Sequence, residues 1–287
     1  MSISADPKTI RALAFDLDGT LLAPGSVLTE RAVNAIKKCM RRGIKIIIAT
    51  GRAIEAAEPF RAALGAEGPM ICFNGAIVVD MPAGAFLSAT LLDKKAAEFC
   101  VDLSRERGIY YQVYIPGGLN KDGSADKKIR LIADRDAPER EMYHNHTGIL
   151  AELGDLKEVL RRPGLEGFVK TMFLADPEIL DSLRPRLDEH FGESVYIARS
   201  TAAFLEVLNS EVSKGRGLEI AMERLSLKRE EVIAFGDEEN DLPMFGAAGF
   251  SVAPSNAKEN VKALADLVTG SNAEDGAAAF LEEYFCL

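Results

Sequence analysis

Three short apolar runs, ALAF at 12–15, KIIIA at 45–49 and PMICF at 69–73, punctuate the first part of the chain. Each ends abruptly in polar or small residues: Asp16, Thr50-Gly51 and Asn74-Gly75. Continuous apolar runs of this length suit strands buried on both faces. Between the first two, residues 29–42 place Ala32, Val33, Ile36 and Met40 on one helical face, with Thr29 as N-cap and Gly43 as stop. A second helix is expected over 53–64. Strand, helix, strand, helix, strand with short connections predicts a doubly wound parallel sheet.

The rhythm then breaks. AIVVD at 76–80 follows Asn74-Gly75 directly and reads as a hairpin, with a loop over 81–87. Helix is expected at 93–107, an aromatic strand at 109–115, an exposed Gly/Asp/Lys-rich loop at 116–128, irregular structure with a short helix at 130–146, and helix at 148–160. A strand at 169–175, a helix at 177–191 containing Pro185, and strands at 194–198 and 203–208 follow. This order suits a separate α+β layer with an antiparallel sheet. At Ser213 the first rhythm returns: helix to about 225, strand at 232–235, a helix capped by Asn240 or Asp241 with Pro243 in its first turn, strand at 249–253, helix near 258–265, a short strand at 267–268 and a last helix from 274. The prediction is a Rossmann-like, doubly wound α/β core of residues 1–84 and 209–287, interrupted by an α+β cap at 85–208.

Composition narrows the function classes. The 287 residues carry a formal net charge of −10 and no basic run, which argues against nucleic-acid binding. No segment is apolar enough to span a bilayer, and the opening MSISADPKTI lacks a secretory pattern, so a cytoplasmic protein is expected. Cys39, Cys72, Cys100 and Cys286 are scattered without CxxC pairing, which favours reduced, mostly buried thiols over zinc or disulfides. His144 and His146 have no third ligand nearby and read as a polar loop.

The candidate chemistry lies where the strands end. Asp16 and Asp18, two apart on an extended segment, point to one side at the carboxyl end of the first strand, and Gly19 turns the chain away. Thr50-Gly51-Arg52, Asn74-Gly75 and the run GDEEND at 236–241 end other strands, and Lys214 opens a helix. Each has a plain reading alone: a strand-to-helix turn, a hairpin, an acidic helix start, a solvated lysine. Strand ends of a parallel sheet share one edge, so together they form a site. Converging carboxylates call for a hard divalent cation, Mg²⁺. Lysine, hydroxyl and backbone N–H groups suit a phosphate. A carboxylate can attack phosphorus, and a second can protonate the leaving oxygen and activate water. Neither a GxxxxGK[ST] loop, an EF-hand loop nor a GxSxG elbow is present.

DxDGT at 16–20, ATGR at 49–52, Asn74-Gly75, SKG at 213–215 and GDxxND at 236–241, in this order, resemble the haloacid dehalogenase-like hydrolases, within them the Cof-type sugar-phosphatase group. The resemblance covers the α/β core; Pro254-Ser255 departs from the group's usual pattern. It implies that Asp16 is the nucleophile and Asp18 the general acid/base, and that Thr50, Gly51 and Lys214 hold phosphate. It further implies that Asp16, the backbone carbonyl of Asp18 and Asp237 bind Mg²⁺, with Asp241 in support, and that Asn240 touches phosphate or metal-bound water. Arg52 and Asn74 would lie near the substrate's approach. In the cap, Lys170, or Tyr110, Gln112 and Tyr114 on one strand face, are candidates for substrate contact. The expected function is Mg²⁺-dependent hydrolysis of a small phosphorylated metabolite, such as a sugar phosphate, through an aspartyl-phosphate. The alternatives are a phosphotransferase or phosphomutase and a non-catalytic metabolite-binding regulator. The expected partner is that metabolite, without nucleic acid or membrane, bound by a monomer or small homo-oligomer.

Overall fold

Ala12, Leu13, Ala14 and Phe15 are all buried and form β1 (Ala12–Phe15), the strand from which the first sheet is laid out in both directions in a computed structural model. The structure describes residues 6–81, 84–116 and 128–287. Positions 82–83 and 117–127, within the expected loops, lie outside the described residues, as do 1–5 of the opening segment. On one side of β1 stand β2 (Lys45–Ala49), β3 (Met70–Cys72), β4 (Ile77–Asp80) and β5 (Ala85–Ala89). The second sheet holds β6 (Tyr110–Pro116), β7 (Ile129–Ala133), β8 (Glu152–Leu153), β9 (Lys170–Leu174), β10 (Val195–Thr201) and β11 (Phe204–Asn209). The first sheet is completed by β12 (Val232–Phe235), β13 (Phe250–Pro254) and β14 (Leu267–Thr269), in the order β14-β13-β12-β1-β2-β3-β4-β5.

From β14 to β3 every neighbouring pair is parallel, with Phe15 in register with Phe235 and Ile48, and Ala49 with Ile71. The carboxyl ends of β1, β2, β3 and β12 therefore open on one edge. β4 returns antiparallel to β3, as the hairpin reading expects. Ala12, Ala14, Ile47, Ala49 and Ile71 pack with Leu218, Ala221, Met244 and Phe245 of two later helices. On the opposite face the Phe15 and Phe235 rings stack 4.4 Å apart, and Phe235 meets Phe280 of the last helix edge-on. Helices on both faces make the sheet doubly wound.

The residues divide into two compact units, Met1–Ser88 with Ser213–Leu287, and Ala89–Val212. β5 corrects the expected loop over 81–87: its half-buried residues extend the first sheet, carrying the first unit past residue 84. In the second unit the strand order is β10-β11-β9-β6-β7-β8, antiparallel throughout except for β7 with β8. Three expectations fail here. Residues 129–133 form a strand where irregular structure was expected, because Ile129, Leu131 and Ile132 gain burial only by pairing with β6. The helix expected over 148–160 shrinks to Leu156–Leu160, since β8 precedes it and Asp155 caps it by accepting from the Lys157 N–H. His144 and His146 lie on the helix Pro138–Thr147 rather than in a loop. Cys39, Cys72 and Cys100 are buried and free, and Cys286 is exposed. Among the described residues no helix is long and apolar enough to cross a membrane.

Gly75 and Gly43 separate two costs of adding a methyl group. Both have positive φ, +106° and +85°. A Cβ at Gly43 meets nothing within 4 Å, whereas one at Gly75 falls 2.1 Å from the Ser213 carbonyl oxygen. Gly43→Ala is expected to lower stability by about 1 kcal/mol through conformation alone, and Gly75→Ala by about 3 kcal/mol or more because backbone must also move. Urea unfolding of the two variants, side by side, measures the difference.

Candidate active site

The site is built around one ammonium. Lys214 opens the helix Lys214–Leu225, and its Nζ donates to Asp16 Oδ1 and to Asp241 Oδ1, each at 2.6 Å. All three side chains are buried. A cation at a helix N-terminus opposes the helix dipole, so these two carboxylates are what keep it there. Burial alone would push the Lys214 ammonium down, but Asp16 and then Asp241 overcome it and leave it above its usual range. The other oxygen of Asp241 accepts from the backbone N–H groups of Asp237 and Glu238, at 2.9 and 3.0 Å. The expected side-chain cap at 240–241 is thus replaced: Asp241 holds the turn before its helix, and no side-chain bond caps the helix Leu242–Ala247.

Asp237 completes the cluster. Its Oδ1 accepts from the Thr20 hydroxyl at 2.6 Å, and a Cβ at Gly19 would fall 2.2 Å from its Oδ2, so only glycine fits beside it. Burial raises the Asp237 carboxyl to about 6, with the Thr20 hydrogen bond opposing and Asp241 adding. Burial likewise pushes Asp16 well above the ordinary carboxylate range; Lys214 offsets part of this, and Asp241 and Asp237 add to it.

Asp18 faces elsewhere. Its carboxylate, half-exposed, receives Arg52 in a fork, Nε to Oδ2 at 2.7 Å and a terminal nitrogen to Oδ1 at 2.5 Å. Asp16 and Asp18 thus sit at the same strand end with different partners. Thr50 is buried, and its hydroxyl accepts from the Arg52 N–H at 3.1 Å. Phe73, Asn74 and Gly75 all have positive φ, at 51°, 59° and 106°. For a buried phenylalanine that is a strained backbone. Phe73 and Asn74 donate their N–H groups to the carbonyls of Arg52 and Thr50, at 3.0 Å each, which ties the ends of β2 and β3 together. The Asn74 Oδ1 accepts from Asn240 Nδ2 at 2.9 Å and lies 3.0 Å from where a Cβ on Gly51 would sit. Asn240 Oδ1 is buried without a hydrogen-bond partner among the described residues. Asp16, Thr50, Gly51, Asn74, Lys214, Asp237, Asn240 and Asp241 all belong to the first unit and its carboxyl edge.

Lys170 belongs to the second unit. Its ammonium is buried, 2.9 Å from Glu206 Oε1 and over the Tyr114 ring at 5.4 Å. Burial would lower it, but Glu206 overcomes this and raises it. Lys170, expected as a substrate contact, thus has a charged partner within the second unit. Tyr110, Gln112 and Tyr114 are buried too; Tyr110 reaches Gln112, and Tyr114 shares a hydrogen bond with Tyr143 at 2.7 Å.

Other contributors escaped the sequence reading. Asn256 Nδ2 donates to the Gly19 carbonyl, and its Oδ1 accepts from the Asn272 N–H, both at 2.8 Å. Asn272 in turn donates to the Leu22 carbonyl at 2.8 Å. These amides brace the turn carrying Asp18. Asn256 lies just after β13 and Asn272 just after β14, each in a polar connection.

The residues fit a hard cation. One oxygen from each of Asp16, Asp237 and Asp241 lies within 4.8 Å of the others, all buried. Three carboxylates face one ammonium, and their donors are all oxygen, the set that suits Mg²⁺. Both oxygens of Asp241 are already engaged, so Asp16 and Asp237 are the side chains that would hold the ion.

The carboxyl edge of this parallel sheet thus gathers a lysine-paired aspartate, a forked aspartate and an acidic cluster able to hold a hard cation. The chain belongs to the haloacid dehalogenase-like hydrolase family, whose profile matches residues 13–281. It is 31% identical over 281 residues to a pyridoxal phosphate phosphatase of Escherichia coli K12, covering 95% of this chain and 98% of that one. It is 29% identical over 290 residues to a 5-amino-6-(5-phospho-D-ribitylamino)uracil phosphatase of Bacillus subtilis, covering 96% and 97%. The crystal structure of a Thermotoga maritima protein superposes with a TM-score of 0.82 at 30% identity, over 96% of this chain and 97% of that one.

The raised carboxyls fix a pH response. Asp237 holds its proton up to about 6 when folded, against an ordinary value of 3.8. Between these values the folded state binds more protons than the unfolded, so stability falls as pH rises through the window. Asp16 acts in the same direction. In chelator, Asp237→Asn is expected to raise the melting temperature at pH 7 more than at pH 4. Mg²⁺ is expected to raise it for the parent but not for the variant. Thermal melts at both pH values, with and without Mg²⁺, measure this.

Proposed function

We propose that this enzyme is a Mg²⁺-dependent phosphomonoesterase that hydrolyses a small phosphorylated metabolite through a phosphoaspartate on Asp16. The observation that carries the reading is the buried Asp16 carboxylate, paired with Lys214 beside two further acids at the sheet edge. An Asp16 oxygen attacks phosphorus, and the bond from phosphorus to the ester oxygen breaks. Asp18 gives its proton to that leaving oxygen. Asp18 then takes a proton from a water, whose oxygen attacks the same phosphorus; the bond to Asp16 breaks and inorganic phosphate leaves. Lys214 and the Thr50 hydroxyl hold the non-bridging oxygens, and Asn74 and Asn240 border them. Asp16, Asp237 and the Asp18 carbonyl would hold Mg²⁺, which when bound would supply positive charge against the phosphoryl oxygens. Relatives named for pyridoxal phosphate and for a phosphorylated ribitylaminouracil support a small phosphorylated substrate.

Asp16→Asn is expected to lower turnover of p-nitrophenyl phosphate by about 10⁴-fold or more while the chain stays folded by circular dichroism. Chelation is expected to abolish the parent's turnover, and added Mg²⁺ to restore it. A folded Asp16→Asn variant with parental rates would remove the nucleophile. A panel of phosphorylated metabolites that yields isomerised phosphoesters instead of free phosphate would make the enzyme a mutase.

A further inference from the structure

We infer that Asn74 is a positioning residue for Asn240, holding that amide with its nitrogen end toward the turn that receives the phosphoryl group. The inference rests on the reading of the carboxyl edge as a phosphoryl-transfer site. Asn240 Nδ2 donates to Asn74 Oδ1 at 2.9 Å. Asn74 Oδ1 in turn lies 3.0 Å from where a Cβ on Gly51 would sit, so the amide pair packs against the Thr50-Gly51 turn. The residue after Asn240 is Asp241, which accepts from Lys214. The Asn240 amide is therefore flanked in space by Thr50-Gly51 and in sequence by the partner of Lys214. Those are the groups that the reading assigns to the phosphoryl oxygens.

An amide needs such a hold because its two ends are alike in shape and opposite in hydrogen-bonding sense. The last torsion of an asparagine is broad and two-fold, so rotation exchanges the ends at little cost. A phosphoryl oxygen only accepts: the nitrogen end attracts it and the oxygen end repels it. Asp241 fixes the backbone beside Asn240 through its bonds to the Asp237 and Glu238 N–H groups, but this leaves the Asn240 side-chain torsions free. Among the described residues only Asn74 bonds to the Asn240 amide, and Asn240 Oδ1 is buried without a partner. Asn74 accepts one of the two Nδ2 hydrogens and leaves the second for a ligand at Gly51. Asn74 is itself well held. It is buried, with φ +59°, and its N–H donates to the Thr50 carbonyl at 3.0 Å. The next residue, Gly75, packs so closely on Ser213 that a Cβ would fall 2.1 Å from the Ser213 carbonyl oxygen. The turn is thus fixed by the end of β2 on one side and by the cap of the Lys214 helix on the other.

The test uses the whole Mg²⁺-loaded enzyme, p-nitrophenyl phosphate as substrate and orthovanadate as the probe of the five-coordinate phosphoryl state. Glycine accepts the backbone conformation at position 74, so Asn74→Gly removes the amide alone. Asn240→Ala is expected to lower kcat/KM by about 100-fold and Asn74→Gly by about 10-fold, mostly in kcat, with vanadate inhibition weakened by about the same factors. In an Asn240→Ala background, Asn74→Gly should change either quantity by less than about 2-fold, because the amide it orients is gone. Without substrate, the Asn240 side-chain amide is assigned by its loss from the NMR spectrum of Asn240→Ala. Its protons should exchange with solvent at least about 10-fold faster in Asn74→Gly, and as slowly as in the parent in Asn74→Asp, which keeps the acceptor. An undiminished loss from Asn74→Gly in the Asn240→Ala background means that Asn74 acts on the phosphoryl group itself and overturns the inference. Unchanged amide exchange in Asn74→Gly, or an Asn240→Ala variant at parental rates, overturns it as well. Should Asn74→Gly fail to fold, Asn74→Asp carries the test: a protected Asn240 amide supports the inference and a fast-exchanging one overturns it. A parent that releases no phosphate, or a folded Asp16→Asn variant at parental rates, would instead strike the underlying reading, leaving the two failures distinct.

Discussion

One buried ammonium holds the catalytic edge together. Lys214 touches Asp16 from the first strand and Asp241 from the loop after β12, segments far apart in the chain. Without it three buried acids would face one another with no positive charge among them. The second oxygen of Asp241 passes the constraint on to the backbone of Asp237 and Glu238. Thr20 returns it from Asp237 to the turn that carries Asp18. The chain of contacts closes on itself, so the positions of both acids of DxDGT depend on a lysine almost two hundred residues away. The raised Asp16 and Asp237 carboxyls express what remains unneutralised, and they make the cluster receptive to a hard cation.

The same edge tolerates backbone strain because the sheet beneath it is rigid. Phe73 and Asn74 are held in the left-handed region by N–H groups that find the carbonyls of Arg52 and Thr50. In exchange the amide of Asn74 meets that of Asn240. Phe15 and Phe235, stacked one residue before Asp16 and Gly236, form the apolar floor on which this polar layer rests. A packed floor and a strained rim tied by backbone hydrogen bonds are the conditions for holding reactive groups within narrow limits.

In the second unit, too, partners that pair side chains or strands come from distant parts of the chain. Lys170 is a buried lysine on an otherwise apolar strand. Its counter-charge is Glu206, on a neighbouring strand, and nothing local to either residue announces the pair. The strand at 129–133 was missed for a related reason. Its arginine and short length hide it until β6 supplies the pairing that buries Ile129, Leu131 and Ile132.

What the sequence determined by itself was local. Apolar runs of four or five residues, each ended by a polar group, mark buried strands because no other element buries so short a run on both faces. Those ends name most of the groups that meet: Asp16, Thr50, Asn74, Asp237, Asp241, and Lys214 at its helix start. Only the tertiary structure decided which group faces which. Asp16 takes Lys214 and Asp18 takes Arg52, although strand alternation predicts one side for both, because β1 ends at Phe15 and the two aspartates lie in the turn beyond it. Asp241 turns back to hold its own loop instead of capping its helix, and Asn256 and Asn272 brace a turn distant in sequence. Strand alternation sets a direction within one element. Pairing depends on side chains arriving from others at hydrogen-bond distance, and that is a property of the packed fold.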